Sequence, residues 1–162
     1  MASPYDTFNK KMMTGQVALI TGGSRGGMLQ EIARTYLEHG AKAVILMARQ
    51  KDKLEGVCRE LGKFGTAVAV SGDVRKAEDC KAAVQVATDK FGRLDILING
   101  AAGNFLASAD KITTNGFRTV LEIDTLGTFN MSQAAFLGAF KSQKSGTIIN
   151  ITANLYYNGT AL

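Results

Sequence analysis

VALITGGSRGGM, residues 17–28, joins an unbroken apolar run to a glycine cluster, and LQEIARTYLEHG (29–40) continues with helical apolar spacing. A glycine cluster at a strand-to-helix junction is a candidate phosphate cradle. Backbone N–H groups converge there, and the helix start adds its positive end. The usual fingerprint closes on a third glycine, whose place is taken here by Met28. That last glycine serves close helix–strand packing more than phosphate contact. A flexible methionine fits if the helix shifts slightly, with Gly27 relieving the crowding. The expectation is a working pyrophosphate turn made of Thr21, Gly22, Gly23, Ser24, Arg25 and Gly26. Gly22 and Gly26 stand where the backbone must bend and approach the ligand. The competing reading is a flexible turn that binds nothing.

Working outward, short apolar runs alternate with helical patterns along the chain. Strands are expected at 16–21, 42–48, 66–73, 94–99 and 146–152, and helices at 26–39, 51–63, 76–91 and about 115–141. Continuous Val/Ile/Leu runs, in place of alternation, indicate strands covered on both faces. Strand–helix alternation with short links gives right-handed parallel crossovers, hence an α/β doubly wound parallel sheet. The stretch ITANLYYNGTAL (151–162) leaves a strand and stops, so the sheet looks cut short after its fifth strand, with that strand exposed.

A chain of 162 residues supports one domain with a real core. Its 46% apolar and 20% charged content is ordinary for a globular protein. No apolar run approaches the roughly 18 to 20 residues of a membrane helix. The start, MASPYDTFNKKMMTGQ, lacks a secretory apolar core, and Asp6 with no arginine argues against a transit peptide. The net charge of +5 is scattered, which describes a solvated face and not a nucleic-acid surface, and it suits a phosphate-rich ligand. Cys58 and Cys80 lie in separate helical patterns with no CxxC unit, so neither a metal site nor a disulfide is expected and a reducing compartment is. His39, the single histidine, ends a helix before Gly40 and is given no catalytic role.

The end of the second strand lies about twenty residues past the glycine cluster, where a ribose-reading group belongs. A carboxylate there would bind a 2′-hydroxyl. This chain has Ala48 and Arg49 instead, with no carboxylate until Asp52. A guanidinium clamps a 2′-phosphate that a carboxylate would repel, so NADP(H) is preferred over NAD(H), with Arg25 within reach of the same phosphate. Asp73 is placed to meet the adenine, with Val74 packing on the ring. Asn99, Gly100, Ala101 and Ala102 follow the fourth strand, where backbone passes close to a cofactor.

These residues resemble the short-chain dehydrogenase/reductase family: a TGxxx-G turn, GDV (72–74), an N-x-A element (99–101) and NIT (150–152). The resemblance runs from about residue 15 to the end and implies a Rossmann fold. Within the family, ILINGAAGNFL (96–106) and IDTLGTFNMS (123–132) most resemble the 2,4-dienoyl-CoA reductases, the peroxisomal type above all. Two departures from the general family pattern agree with that subgroup. Asp124 stands where an asparagine is usual, and Thr152 and Ala153 stand where the catalytic serine is usual.

The resemblance implies NADPH-dependent reduction of a 2,4-dienoyl-CoA to a 3-enoyl-CoA in unsaturated fatty acid β-oxidation. Asp124 would be catalytic, working with a lysine about ten residues beyond Leu162 to hold a proton-donating water. A carboxylate turned inward from the apolar helix face VLEIDTLG is costly unless paired, which fits a lysine partner; the bland alternative is a helix carboxylate that accepts from nearby backbone. Asn104 and Phe105 are candidates for thioester contact and diene packing, and Tyr156 or Tyr157 for the acyl site. The resemblance also implies the N-terminal portion of a longer enzyme, an acyl-CoA substrate, a homo-oligomer paired through helix 115–141, and a peroxisomal setting, with mitochondrion and cytoplasm left open. Two rivals stand beside it: another NADP-dependent reductase of the family, such as a 3-oxoacyl type, and a non-catalytic NADP-binding fragment.

Overall fold

The computed structural model describes residues 11–24, 26–105 and 107–153. Their order is β1 (Val17–Thr21), α1 (Met28–Glu38), β2 (Ala43–Ala48), α2 (Lys51–Leu61), β3 (Ala67–Ser71), α3 (Ala77–Phe91) and β4 (Ile96–Asn99). A 3-10 turn (Ala109–Lys111) leads into a continuous helical rod, α4 (114–143), and then β5 (Thr147–Asn150). All the strand pairings are parallel, in the spatial order β3-β2-β1-β4-β5. Register aligns Thr21 with Met47 and Asn99, and Asn99 with Asn150, so the carboxyl ends of the strands form one edge. This is a doubly wound, Rossmann-like sheet, as the apolar runs predict.

Two cores sandwich the sheet. On one face Leu19, Ile45 and Leu97 pack against Ala83, Val84, Met131 and Ala135 of α3 and α4. On the other, Ile20, Leu46 and Ile98 pack against Ala33, Leu37, Leu54 and Leu61 of α1 and α2. The central strands β1, β2 and β4 are buried, as continuous apolar runs require. The expectation of two covered faces fails at both edges. β3 is only half-buried, and β5 is exposed along its length.

Several boundaries differ from expectation: β3, β5 and α2 are each shorter than the expected 66–73, 146–152 and 51–63, and three other elements differ for local reasons. α1 begins at Met28, not at residue 26, because Gly26 and Gly27 hold positive φ of 79° and 80°. β4 begins at Ile96, not at residue 94, because the Gln143 side chain occupies the backbone of Leu94. It takes the Leu94 N–H at 3.0 Å and donates to the Leu94 carbonyl at 2.7 Å. The long helix runs past 115–141 at both ends. Thr113 caps it by accepting the Gly116 N–H at 3.0 Å, and Lys144 ends it in the left-handed conformation. Two π turns, Glu122–Leu126 and Phe136–Phe140, interrupt its α geometry. Among the described residues no helix is long and apolar enough to cross a membrane.

Candidate functional site

The strand order reverses between β1 and β4, and a cleft of about 760 Å³ opens there at the carboxyl edge of the sheet. Crevices at such switch points are where doubly wound sheets bind ligands. Gly22, Gly23, Ser24, Gly26, Ala48, Arg49, Asp73, Val74, Gly100, Ala101, Ala102 and Asn104 all wall it. Thr21 and Asn99 lie beneath the wall. Thr21 is buried, and its Oγ1 accepts the N–H groups of Gly100 and Ala101, both at 3.1 Å. Asn99, 4% exposed, donates to Ser132 Oγ at 3.1 Å and Asn150 Oδ1 at 2.9 Å. These two therefore shape the β4 loop from below. Arg25, Tyr156 and Tyr157 fall outside the described residues.

The glycine turn is tight for a reason different from the one the fingerprint suggests. A Cβ on Gly22 would lie 2.8 Å from Leu29 Cδ1 and 3.1 Å from the Gly100 carbonyl oxygen. One on Gly100 would lie 2.4 Å from Leu29 Cδ2 and 3.1 Å from the Thr21 carbonyl oxygen. Leu29 thus reaches from α1 into a notch formed by two glycines on the strand side, and this notch gives the close helix–strand approach. Met28 is 57% exposed, so the expected crowding and helix shift at that position do not arise. Met28→Gly is predicted to leave cofactor affinity within about two-fold in a fluorescence titration, since most of the side chain removed lies in solvent. A ten-fold change would contradict that placement.

The cleft fits a dinucleotide. Gly22, Gly23, Gly26 and Gly27 all have positive φ, so the turn presents backbone to the ligand. No side chain caps α1 at Gly27, which leaves the first amides of that helix to an anion. At the far wall Arg49 is exposed at the end of β2. Asp73 is engaged by Arg75, with Nη2 to Oδ2 at 2.5 Å and Nε 3.0 Å from both carboxylate oxygens. The Arg75 hydrogen bonds hold the Asp73 carboxyl below the usual carboxylate range against the opposing effect of burial. Asp79 fastens the same turn by accepting the Asp73 N–H at 2.9 Å.

On the β4 side, α4 supplies the anchors. Asp124 Oδ1 accepts the Gly103 N–H at 2.8 Å, which fixes the loop that carries Asn104. Asp124 is exposed, not turned inward as its apolar context suggests. The π turn Glu122–Leu126 adds one residue to the helical turn and rotates that carboxylate out of the core. Ile123, and not Asp124, is the buried member of the pair and reaches the cleft wall. Phe105 is exposed and lays its ring edge over Gly116, where a Cβ would come within 2.8 Å of Cζ. Sequence reasoning missed Asn130, whose Nδ2 donates to the Val74 carbonyl at 3.0 Å, and Ser132 beneath Asn99.

Fold and cleft together define a doubly wound α/β domain of the Rossmann type. The chain belongs to the short chain dehydrogenase family, whose model matches residues 16–161. It is 45% identical over 161 residues to the peroxisomal 2,4-dienoyl-CoA reductase [(3E)-enoyl-CoA-producing] of Arabidopsis thaliana, covering 94% of this chain and 53% of that protein. It is 41% identical over 157 residues to the protein of the same name from Danio rerio, covering 96% of this chain and 51% of that protein. Among solved structures, a short chain dehydrogenase from Bacillus anthracis superposes with a TM-score of 0.84 at 37% identity, over 91% of this chain and 61% of that one. The chain thus spans about half the length of the curated relatives it matches.

Proposed function

We propose that the chain is the cofactor-binding part of an NADPH-dependent oxidoreductase that reduces 2,4-dienoyl-CoA to 3-enoyl-CoA, folded as a single domain. The observation that carries this reading is the cleft itself. Its phosphate turn, its Arg49 wall and its Asn104 loop converge on one crevice, in a chain whose relatives bear the reductase's name. The glycine turn and the start of α1 would hold the pyrophosphate, Arg49 the 2′-phosphate, and Asp73 and Val74 the adenosine. When bound, NADPH supplies the hydride for the δ carbon of the diene. Asn104 would donate a hydrogen bond to the thioester oxygen, where negative charge develops. Asp124 would hold the water that protonates the α carbon, since Oδ1 is committed to Gly103 and Oδ2 meets no partner among the described residues. The peroxisome is the proposed compartment, from the relatives' names.

We also infer a homo-oligomer through α4. Its outer face carries Phe117, Leu121, Phe129, Phe136 and Leu137, all exposed, and a second copy of the chain is the occupant that such a face fits. Phe129→Glu combined with Leu137→Glu should lower the sedimentation mass to that of the monomer while the far-ultraviolet circular dichroism stays unchanged. An unchanged mass would exclude this face.

Two measurements test the enzyme reading. The 162-residue chain should bind NADPH more tightly than NADH. The chain fused to the C-terminal remainder of the Arabidopsis relative should oxidise NADPH with a 2,4-dienoyl-CoA. Turnover of a 3-oxoacyl-CoA with none of the dienoyl ester would sink the substrate assignment. No binding of either nicotinamide cofactor would sink the whole proposal.

A further inference from the structure

The β3–α3 turn, residues 72–76, is the wall of the cleft farthest along the sheet from β4, and its backbone is gripped at consecutive residues. The Asp73 N–H is held by Asp79 from α3. The next residue's carbonyl, on Val74, is held by Asn130 Nδ2 at 3.0 Å, from a helix 56 residues further along the chain. The Cys80 thiol reaches the same carbonyl at 3.4 Å, a longer and weaker contact. Beside Asn130, one turn nearer the start of α4, Gly127 leaves a flat place on the helix. A Cβ there would lie 2.5 Å from Val74 Cγ2 and 3.0 Å from its Cβ. Val74 is therefore seated on α4 by a bare glycine under its side chain and an amide donor under its carbonyl. It is buried, and it forms part of the cleft wall, while Gly127 and Asn130 do not line the cleft.

We propose that Asn130, with Gly127, is a positioning residue for the adenosine half of the cofactor. α4 sets the height and tilt of the Asp73–Val74 wall, and the same helix fixes the Asn104 loop through Asp124. One helix thus holds both sides of the crevice, so adenosine binding and the geometry at the reacting end depend on a shared rigid element. This inference rests on the dinucleotide reading above and adds to it a residue that touches no ligand atom.

Losing the Asn130 donor leaves a buried carbonyl with only a thiol partner and lets the turn settle elsewhere. One neutral hydrogen bond of this kind corresponds to about a ten-fold change in an equilibrium. In the 162-residue chain, Asn130→Leu keeps the branching and heavy-atom count of the side chain and removes the donor. Affinity is measured for NADPH, for NADH and for the adenosine half alone, as 2′,5′-ADP or 5′-ADP, whichever the wild-type chain binds more tightly. The expected result is an approximately ten-fold weaker dissociation constant for the preferred dinucleotide and an equal loss for the adenosine half. The ligand-free melting temperature should stay within about 4 °C of wild type. A merely structural role would lower the melting temperature and spare the affinity of the folded fraction. Gly127→Ala, which pushes on Val74 from the same helix, should give the same paired loss, and it carries the test if Asn130→Leu does not fold. Unchanged affinity for the adenosine half in a folded variant, or a loss confined to the full dinucleotide, overturns the inference. Failure of the wild-type chain to bind either dinucleotide overturns the dinucleotide reading instead, and the inference falls with it.

Discussion

Replacing Gly22 with valine is expected to lower the melting temperature by about 10 °C and to weaken cofactor binding more than a hundred-fold. Two costs add at this position. Gly22 sits at φ +94°, outside the range a β-branched residue adopts comfortably, and left-handed backbone costs an L-residue roughly 1–2 kcal/mol. The new Cβ would also lie 2.8 Å from Leu29 Cδ1 and 3.1 Å from the Gly100 carbonyl oxygen. Leu29 can turn aside, but the backbone oxygen cannot move without displacing the loop after β4. Overpacking of this sort typically costs about 1–3 kcal/mol, and the sum of about 3 kcal/mol corresponds to about 10 °C in a domain of this size. The new Cβ points toward Leu29 and the Gly100 carbonyl, so the binding loss is expected to arise from displacement of the turn. Gly27→Ala provides the internal control. It shares the positive φ, yet its Cβ meets nothing within 4 Å, so it should lose only the strain component. Calorimetry and NADPH titration of both variants decide the matter. A Gly22→Val chain that melts and binds like wild type would rule out the notch as the origin of tight packing.

The parts of this fold that could be read from sequence are those set by local pattern. Continuous apolar runs at 17–21, 43–48 and 96–99 mark buried parallel strands, because only a strand covered on both faces tolerates them. The same rule overreached at Ala67–Ser71 and Thr147–Asn150. Both contain adjoining apolar residues, but their positions at the sheet edges are a property of strand order, which no local window contains. The cleft residues follow from spacing, since each stands just past a strand end and register brings those ends to one edge. What stayed illegible is what depends on contact between distant segments. Leu29 filling a two-glycine notch requires knowing that Gly100 lies opposite Gly22. Asn130 looks like an ordinary polar position of an amphipathic helix until Val74 is found beneath it. Asp124 reads as inward-facing in the sequence because an ideal helix would put it on the buried face, and a single π turn moves it off.

Arg49→Asp should reverse the cofactor preference, moving the ratio of NADPH to NADH affinity by two orders of magnitude or more. β2 ends at Ala48, and the next residue stands exposed on the cleft wall, opposite the Asp73 turn. Its guanidinium is close enough to Asp73 to add, as the least of several causes, to the lowering of that carboxyl's pKa, so its charge is felt across the adenosine side of the cleft. Toward a 2′-phosphate a guanidinium offers a paired, charge-assisted contact, worth about 1.5–3 kcal/mol and roughly ten- to hundred-fold in affinity. Aspartate removes that contact and sets a like charge against the phosphate, so NADPH affinity should fall by about that factor or more. The same carboxylate can accept hydrogen bonds from the 2′-hydroxyl of NADH, which should bind more tightly than in the wild type. Because the site is open to solvent, salt distinguishes electrostatics from shape. The wild-type preference for NADPH should shrink as ionic strength rises from about 0.01 to 1 M, over which the screening length falls from about 30 to 3 Å. Arg49→Ala should lie between wild type and Arg49→Asp, losing the attraction without gaining the repulsion. Parallel titrations of the three chains with both cofactors at two salt concentrations measure this directly. An affinity ratio that stays constant across the three would remove Arg49 from cofactor selection and leave Arg25 as the phosphate reader.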